Sequence, residues 1–520
     1  MTATSIELEM FEVGLGSSIY VRLKRSDGDV RILADGGVDR GYAHDHVQIK
    51  LDSLLREEGA ERIDLIVGTH YDEDHLRGLV PIVASGIEVG ELWLPPVADD
   101  VADGIGDVRP RRYDMLGAKF AADPEYVGKY VAAKRAVIER CRELEHALGA
   151  ERRVGWSSHS PVRDVGFADA QDDPVAALRL ELGVEGTDAC HEDGCEHVDV
   201  ADAVTEPNVG IDHDYLFYGR WSYFSGMGFV DPSFGLLDYA EMLRSAGESS
   251  PAAYSVARIR RAAAKDAINA TALDELVQAA VRRGIEIRYH HIPKGRPAPF
   301  RWHPSRRRFL RGRASHAGAT GLMLLGPSDH LIRKHAHRLP IDDRLVLGLI
   351  SRIPVKSISP SNQLSYVVRV DHAEQRILIC GDTGFSDFMA SRTVAEPLLL
   401  AELTGLDVVQ VAHHAGNNQW FYGVLIEAWR SRAAPPPVML VSHAKRDRHR
   451  PNDQFADFVE HVAMPEGDPF VVFTSTPQPT KVAAFRCSVM PPQGTVGEVG
   501  DVRLELTDGR WTLARHAVQV

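Results

Sequence analysis

Residues Thr69 to His75 read THYDEDH and set His70, Asp72, Asp74 and His75 within six positions. They follow IDLIVG, an apolar run that predicts a buried strand ending at Thr69-His70. Two imidazoles and two carboxylates in one turn are costly neighbours. Carboxylates facing a common point raise each other's pKa, and a divalent metal is the natural compensation. In an extended segment positions 70 and 72 point the same way, whereas 74 and 75 start a new direction, so one strand end can serve two adjacent metals. Mixed imidazole and carboxylate donors suit Zn, Mn or Fe, and not Cu(I) or iron–sulfur clusters, which want thiolates. The alternative is a solvated acidic loop with two incidental histidines.

Three later apolar runs also stop at ligand-type side chains. ILICGDTG ends at Gly381-Asp382, where a carboxylate is placed to bridge two metals from the opposite side. VVQVAHHAG ends at His413 and His414, and MLVSHAKRDRHRPN offers His443 and His449. Alone, each is an ordinary turn Asp or surface His. Neighbouring strands of one sheet deliver their ends to one edge, however, so the four ends together point to a shared centre. Elsewhere, Cys190, His191, Cys195 and His197 are either a compact structural zinc loop or an exposed acidic loop. Arg306, Arg307, Arg308, Arg311 and Arg313 are either phosphate contacts beside the site, favouring a nucleotide or nucleic-acid substrate, or an arginine-rich turn paired with acidic residues. The aromatic run over 215–234 offers stacking faces to bases or forms local core, and Cys380 reads as core.

The elements that must position these groups follow from periodicity. Residues 5–38 predict a β-meander, and 44–58 a helix-compatible stretch. From about 96 to 315 the character changes. Tyr130–Leu148 has helical spacing closed by Gly149, residues 150–212 have little periodicity, and a second helix starts near Thr271 and stops at Gly284. The final third returns to strands, with a helix over Asn452–Val462. This predicts one α+β domain built from 1–95 and 316–520 and interrupted by a large, mainly helical insertion over 96–315. With 59 Lys+Arg against 73 Asp+Glu, the net charge of −14 argues against coating nucleic acid by bulk electrostatics, though it permits a local basic groove. Five irregularly spaced cysteines make no secreted disulfide framework. Without a signal-like N-terminus or a long uncharged apolar run, a cytoplasmic protein that does not span a membrane is expected.

Taken together, these residues resemble the metallo-β-lactamase superfamily, whose HxHxDH signature stands here as His70-Tyr71-Asp72-Glu73-Asp74-His75. With Asp72 in place of the second histidine, this HxDxDH form resembles the metallohydrolase domain of the competence protein ComEC and its relatives, choline-binding phosphorylcholine esterases among them. FEVGLGSSIYV is similar to the family's F-x-D-V-G-x-G-D-S opening, with Glu12 and Ser17 at its two Asp positions. ILADGG is similar to ILIDGG, SNQLSYVV to N-x-x-S-L-V, ICGDTG to LLTGD, VAHHAG to VPHHGS, and HRPN to the closing G-H-P with one extra residue. The coverage is about 5–95 and 320–465.

The resemblance implies a four-layer αββα fold with its metal site along one edge of a β-sandwich. It implies His70 and Asp72 on one divalent metal with His414 or His413, Asp74 and His75 on a second with His449, and Asp382 bridging. The spare histidine of the 413–414 pair would polarise a phosphoryl oxygen or protonate the leaving group. Asp35, in ADGG, would orient a ligand imidazole or simply close a turn. Two such cations, Zn first and Mn second, sharing a hydroxide make a hydrolase. The superfamily hosts many activities. The HxDxDH form tilts the expectation toward a phosphodiesterase or nuclease acting on a nucleotide or nucleic-acid phosphoester. The alternatives are a lactonase or thioesterase, or a metal-binding scaffold whose insertion recognises a protein partner.

Overall fold

The computed structural model describes residues 6–14, 16–37, 45–99, 101, 115–147, 249–314, 318–335, 360–391, 394–416, 418–430, 437–444, 450–462, 471–477, 489–490 and 500–518. Two large sheets organise them. The first contains β1 (Ile6–Met10), β2 (Ile19–Leu23), β3 (Val30–Ala34), β4 (Arg62–Val67), β5 (Glu88–Trp93) and β6 (Glu286–Arg288), joined by β18 (Gly500–Thr507) and β19 (Arg510–Val518) in the order β19-β18-β1-β2-β3-β4-β5-β6. The second contains β7 (Ala298–His303), β8 (Arg308–Arg311), β9 (Gly321–Gly326), β10 (Val367–His372), β11 (Gln375–Ile379), β14 (Val408–Gln410), β15 (Val438–Val441), β16 (Val471–Phe473) and β17 (Val489–Met490). Its order is β17-β16-β15-β14-β11-β10-β9-β7-β8, and β12 (Met389–Ser391) and β13 (Val394–Ala395) form a separate ribbon.

Side-chain alternation explains the layering. In β3, Ile32 and Ala34 enter a core shared with Val368 and Ile379 of the second sheet, while Leu33 joins Leu51 and Leu55 of the helix His46–Glu57. In β4, Leu65 and Val67 belong to the shared core and Ile66 to the helical side, so both faces are buried and the strand's second half, Leu65–Val67, is apolar at every position. Helices Tyr126–Ala147 and Ser249–Arg282 add Tyr130, Leu273 and Val277 to that helical side. Helices Gln419–Trp429 and Asp453–Val462 bring Phe421, Phe455 and Phe458 to the core of the second sheet.

Pairing directions set the site. Strands β3, β4 and β5 run parallel, as do β11, β14, β15 and β16, so within each sheet the segments that follow these strands emerge at one end. Strand β1 lies between β2 and β18, so residues from the two ends of the chain pair directly, Leu8 opposite Leu504.

The middle of the chain departs from the expectation in two ways. The helix expected from Thr271 begins at Ser249. Its earlier turns bury Ala263, Ala264 and Ala267, residues too small to register as an apolar stripe but well suited to close helix packing. The sheets also reclaim the chain before 316, because β6 pairs with β5, and β7 pairs with β8 and β9. Residues 150–212, the aromatic run over 215–234 and the Cys190–His197 group lie outside the described residues. Among the described residues, no helix is long and apolar enough to cross a membrane.

Tyr366, at the entry to β10, donates its hydroxyl to the Leu94 carbonyl at 2.6 Å and accepts from the His290 N–H at 2.8 Å, stitching the second sheet to the segments after β5 and β6. Tyr366→Phe strands both backbone groups. We expect a loss of about 1–3 kcal/mol, read as a lower urea midpoint with an unchanged slope.

Candidate metal centre

The centre is built outward from Asp35, fully buried in the turn after β3 with a left-handed backbone at φ 61°. Its Oδ1 accepts from the Thr69 N–H at 2.6 Å, and its Oδ2 accepts from Thr69 Oγ1 at 2.5 Å, Ser17 Oγ at 3.0 Å and His75 Nδ1 at 2.8 Å. Asp35 thereby fixes a proton on Nδ1 of His75 and aims Nε2 away from it. His414 is held in the same way, its Nδ1 donating to the Ser442 carbonyl at 3.2 Å. The Nε2 atoms of His70, His75 and His414 are buried without a hydrogen bond. Buried polar atoms are rarely left so unless something else binds them.

Carboxylates face these nitrogens. Asp382 presents Oδ1 to Nε2 of His75 at 3.6 Å and of His414 at 3.8 Å, and Oδ2 to Nε2 of His70 at 4.0 Å. Asp72 Oδ2 lies 3.4 Å from His70 Nε2, and Asp74 Oδ2 lies 3.9 Å from His75 Nε2. Two donors each bonded at 2.0–2.1 Å to a tetrahedral ion stand roughly 3.4 Å apart, so these spacings belong to a ligand set around a slightly open centre. Three groups, His70-His75-Asp382, Asp74-His75-His414 and His70-Asp72-Asp74, each converge within 4.8 Å. The residues therefore fit a metal by donor type, burial and spacing.

The partition differs from that implied by the resemblance. His414 sits with Asp74 and His75, not with His70 and Asp72, because Ser442 at the end of neighbouring β15 turns its Nε2 toward Asp382 Oδ1. His413, His414 and Ala415 all have left-handed backbones, with φ of 55°, 53° and 61°, a strained path of the kind that clusters at functional sites. His413 is half-buried and close enough to Asp382 to favour its ionised form. His443 spends both ring nitrogens elsewhere, Nδ1 on Ser475 Oγ at 2.7 Å and Nε2 on the Arg450 carbonyl at 2.9 Å. His449 lies outside the described residues, as do Cys190, His191, Cys195 and His197.

Within the arginine cluster, two members pair with acidic residues, one of the two readings the sequence allows. Arg307 pairs with buried Asp64 at 2.9 Å and Arg308 with Glu286 at 3.2 Å. Asp64 precedes His70 by six residues, about 20 Å along extended chain, so Arg307 and its neighbour Arg306 stand at the far end of β4 from the centre. Arg311 and Arg313, on the returning strand and just beyond it, are exposed.

Electrostatics draws positive charge inward. Burial would raise the Asp382 carboxyl, but His414, His75, His70 and His413 outweigh it and hold the group well below the usual carboxylate range. Burial would lower His75, yet Asp35, Asp382 and Asp74 raise it to about 10. Burial keeps His414 below its ordinary value against the pull of Asp382, with Arg450 adding to the fall.

Sequence reasoning missed the contribution of the long helix Ser249–Arg282. Tyr71 Oη donates to the Asp266 carbonyl at 3.0 Å, Asn269 Nδ2 donates to Asp72 Oδ1 at 2.8 Å, and the Glu73 N–H donates to Asn269 Oδ1 at 2.9 Å. Lys265 Nζ lies 2.6 Å from Asp72 Oδ2. Burial would raise the Asp72 carboxyl, but Lys265 and His70 hold it well down. The available signal is AAAKDAINA, polar residues at one-turn spacing on an alanine-rich helix. Gln410, the polar residue within VVQV, was also missed. Its Oε1 accepts from the Cys380 and Gly381 N–H groups at 2.9 and 3.1 Å, and its Nε2 donates to Ser17 Oγ at 3.0 Å, tying the Asp382 turn to Asp35. Two turns press backbone against this loop. A Cβ on Gly381 would come within 2.2 Å of Thr69 Oγ1, and one on Gly16 within 1.7 Å of the Asp74 carbonyl oxygen.

Two outcomes follow. Asp35→Asn should weaken metal binding about 10–100-fold in chelator competition, because His75 loses its charged anchor. Since apo His75 keeps its proton up to a pH of about 10, loading at neutral pH must expel that proton. Affinity should therefore rise with pH and level off above about 10, which calorimetry in buffers of different ionisation heat would read. A flat profile would remove His75 from the ligand set.

No family model matches the chain. Over 133 residues, 25% of this chain and 68% of the relative, it is 28% identical to the uncharacterized protein y4dX of Sinorhizobium fredii (strain NBRC 101917 / NGR234).

Proposed function

We propose that the chain is a hydrolase dependent on two divalent cations, Zn or Mn, that cleaves phosphoesters as a phosphodiesterase or nuclease of the metallo-β-lactamase superfamily. The observation that carries this reading is Asp382, whose two buried oxygens face different imidazoles, Oδ1 toward His75 and His414 and Oδ2 toward His70. One carboxylate then serves two adjacent positions. Helices packed against both sheets support the four-layer αββα arrangement.

In this reading His70 and Asp72 would hold one cation and Asp74, His75 and His414 the other, with Asp382 shared. The two cations would supply Lewis acidity and a water of lowered pKa. The chain's own residues do the rest. Asp35 and the Ser442 carbonyl engage Nδ1 of His75 and His414, so Nε2 of each is the nitrogen offered to a cation. His413, half-buried and near enough to Asp382 to act on its charge, would protonate the leaving oxygen. Charge favours an anionic substrate: two dications cancel the four carboxylates of Asp35, Asp72, Asp74 and Asp382, and Lys265, tethered within reach of Asp72, adds a positive charge beside them. A phosphodiester gains from that charge, whereas a neutral lactone or thioester does not.

The test compares the metal-loaded full chain on a generic phosphodiester, an oligonucleotide, a lactone and a thioester. We expect turnover of the phosphoesters, about two metal equivalents by elemental analysis, and a drop of about 100-fold or more in phosphodiester turnover, with loss of bound metal, in Asp382→Ala. Full activity in Asp382→Ala, or faster cleavage of the lactone or thioester, would overturn the reading.

A further inference from the structure

We propose that Lys265 is a resident cation of the centre, and that it makes the His70–Asp72 half bind a divalent metal more weakly than the half formed by Asp74, His75 and His414. The inference rests on the two-cation reading. Lys265 Nζ lies 2.6 Å from Asp72 Oδ2, and that same oxygen stands 3.4 Å from His70 Nε2. An ion held between His70 and Asp72 would sit about 2.0–2.2 Å from this oxygen. Two cations therefore claim one oxygen, and each repels the other.

The carboxylate cannot simply turn to offer its other oxygen. Asp72 Oδ1 already accepts from Asn269 Nδ2 at 2.8 Å, and Asn269 Oδ1 is itself engaged by the Glu73 N–H at 2.9 Å. Nor can the helix easily withdraw at this point. Asp266, the next residue, is held through its carboxylate by Lys134 Nζ at 3.1 Å and through its carbonyl by Tyr71 Oη at 3.0 Å. What can yield is the flexible stem of Lys265, whose side chain is 27% exposed and so has a path to solvent. On the other side, Asp35 and Ser442 pre-orient the lone pairs of His75 and His414 toward Asp382 Oδ1. The first cation thus displaces only the proton of an already oriented imidazole, whereas the second must displace a tethered ammonium.

The experiment titrates chelator-stripped full-length protein with Zn2+, and separately with Mn2+, against a competing indicator. Wild type should bind in two steps separated by about tenfold or more in affinity. Lys265→Met should tighten the weaker step by about tenfold or more while leaving the tighter one in place, and Lys265→Arg, which keeps the charge, should preserve the wide spacing. Circular dichroism and the melting midpoint report whether the variants fold, and the wild-type isotherm tests the inference without any variant. Two equal steps in wild type, or an unchanged or weakened second step in Lys265→Met, would overturn it. Absence of bound metal in every protein would overturn the two-cation reading itself, a result distinct from two equal steps.

Discussion

The carboxylate of Asp35 has no contact with water, yet it accepts hydrogen bonds from the Thr69 backbone, two hydroxyls and one imidazole. A buried carboxylate is tolerable only when nearly every lone pair is used, and using them here defines the geometry around it. The same contacts fix where β4 ends, which nitrogen of His75 faces inward, and where the Ser17 turn lies. Through Ser17 and Gln410 the network reaches the backbone of the Cys380–Gly381 turn and so sets the position of Asp382. Rigid neighbouring strands then convert one satisfied anion into the placement of a second, unsatisfied one.

The long helix does comparable work from the other side. Three consecutive residues of the loop, Tyr71, Asp72 and Glu73, each bond to Asp266, Asn269 or Lys265, within little more than one helical turn. The centre is therefore clasped between sheet and helix. Part of its acidity is balanced by a lysine covalently tied to the fold.

Much of this is legible in the sequence because the chemistry is local. An apolar strand that stops abruptly at His70, Asp382 or His414 announces both an element and what its end carries. The partition of ligands is not legible, since the orientation of His414 depends on the Ser442 carbonyl, delivered by a neighbouring strand 28 positions away. Lys265 and Asn269 are hidden for a related reason. They approach Asp72 from nearly 200 positions downstream, on a helix whose alanines make tight contacts without advertising an apolar face. The arginine cluster shows the converse, a conspicuous composition whose meaning depends on strand direction: Arg307 serves to neutralise Asp64 at the far end of β4.

The pairing of β1 with β18 has its own consequence for the making of this protein. Leu8 is synthesised well before its partner Leu504, with strands β2 to β17 between them in sequence. Until then one edge of β1 presents unpaired backbone groups to its surroundings, the kind of surface that recruits other strands. Strand β1 therefore gains its second neighbour only after every strand from β2 to β17 has been made.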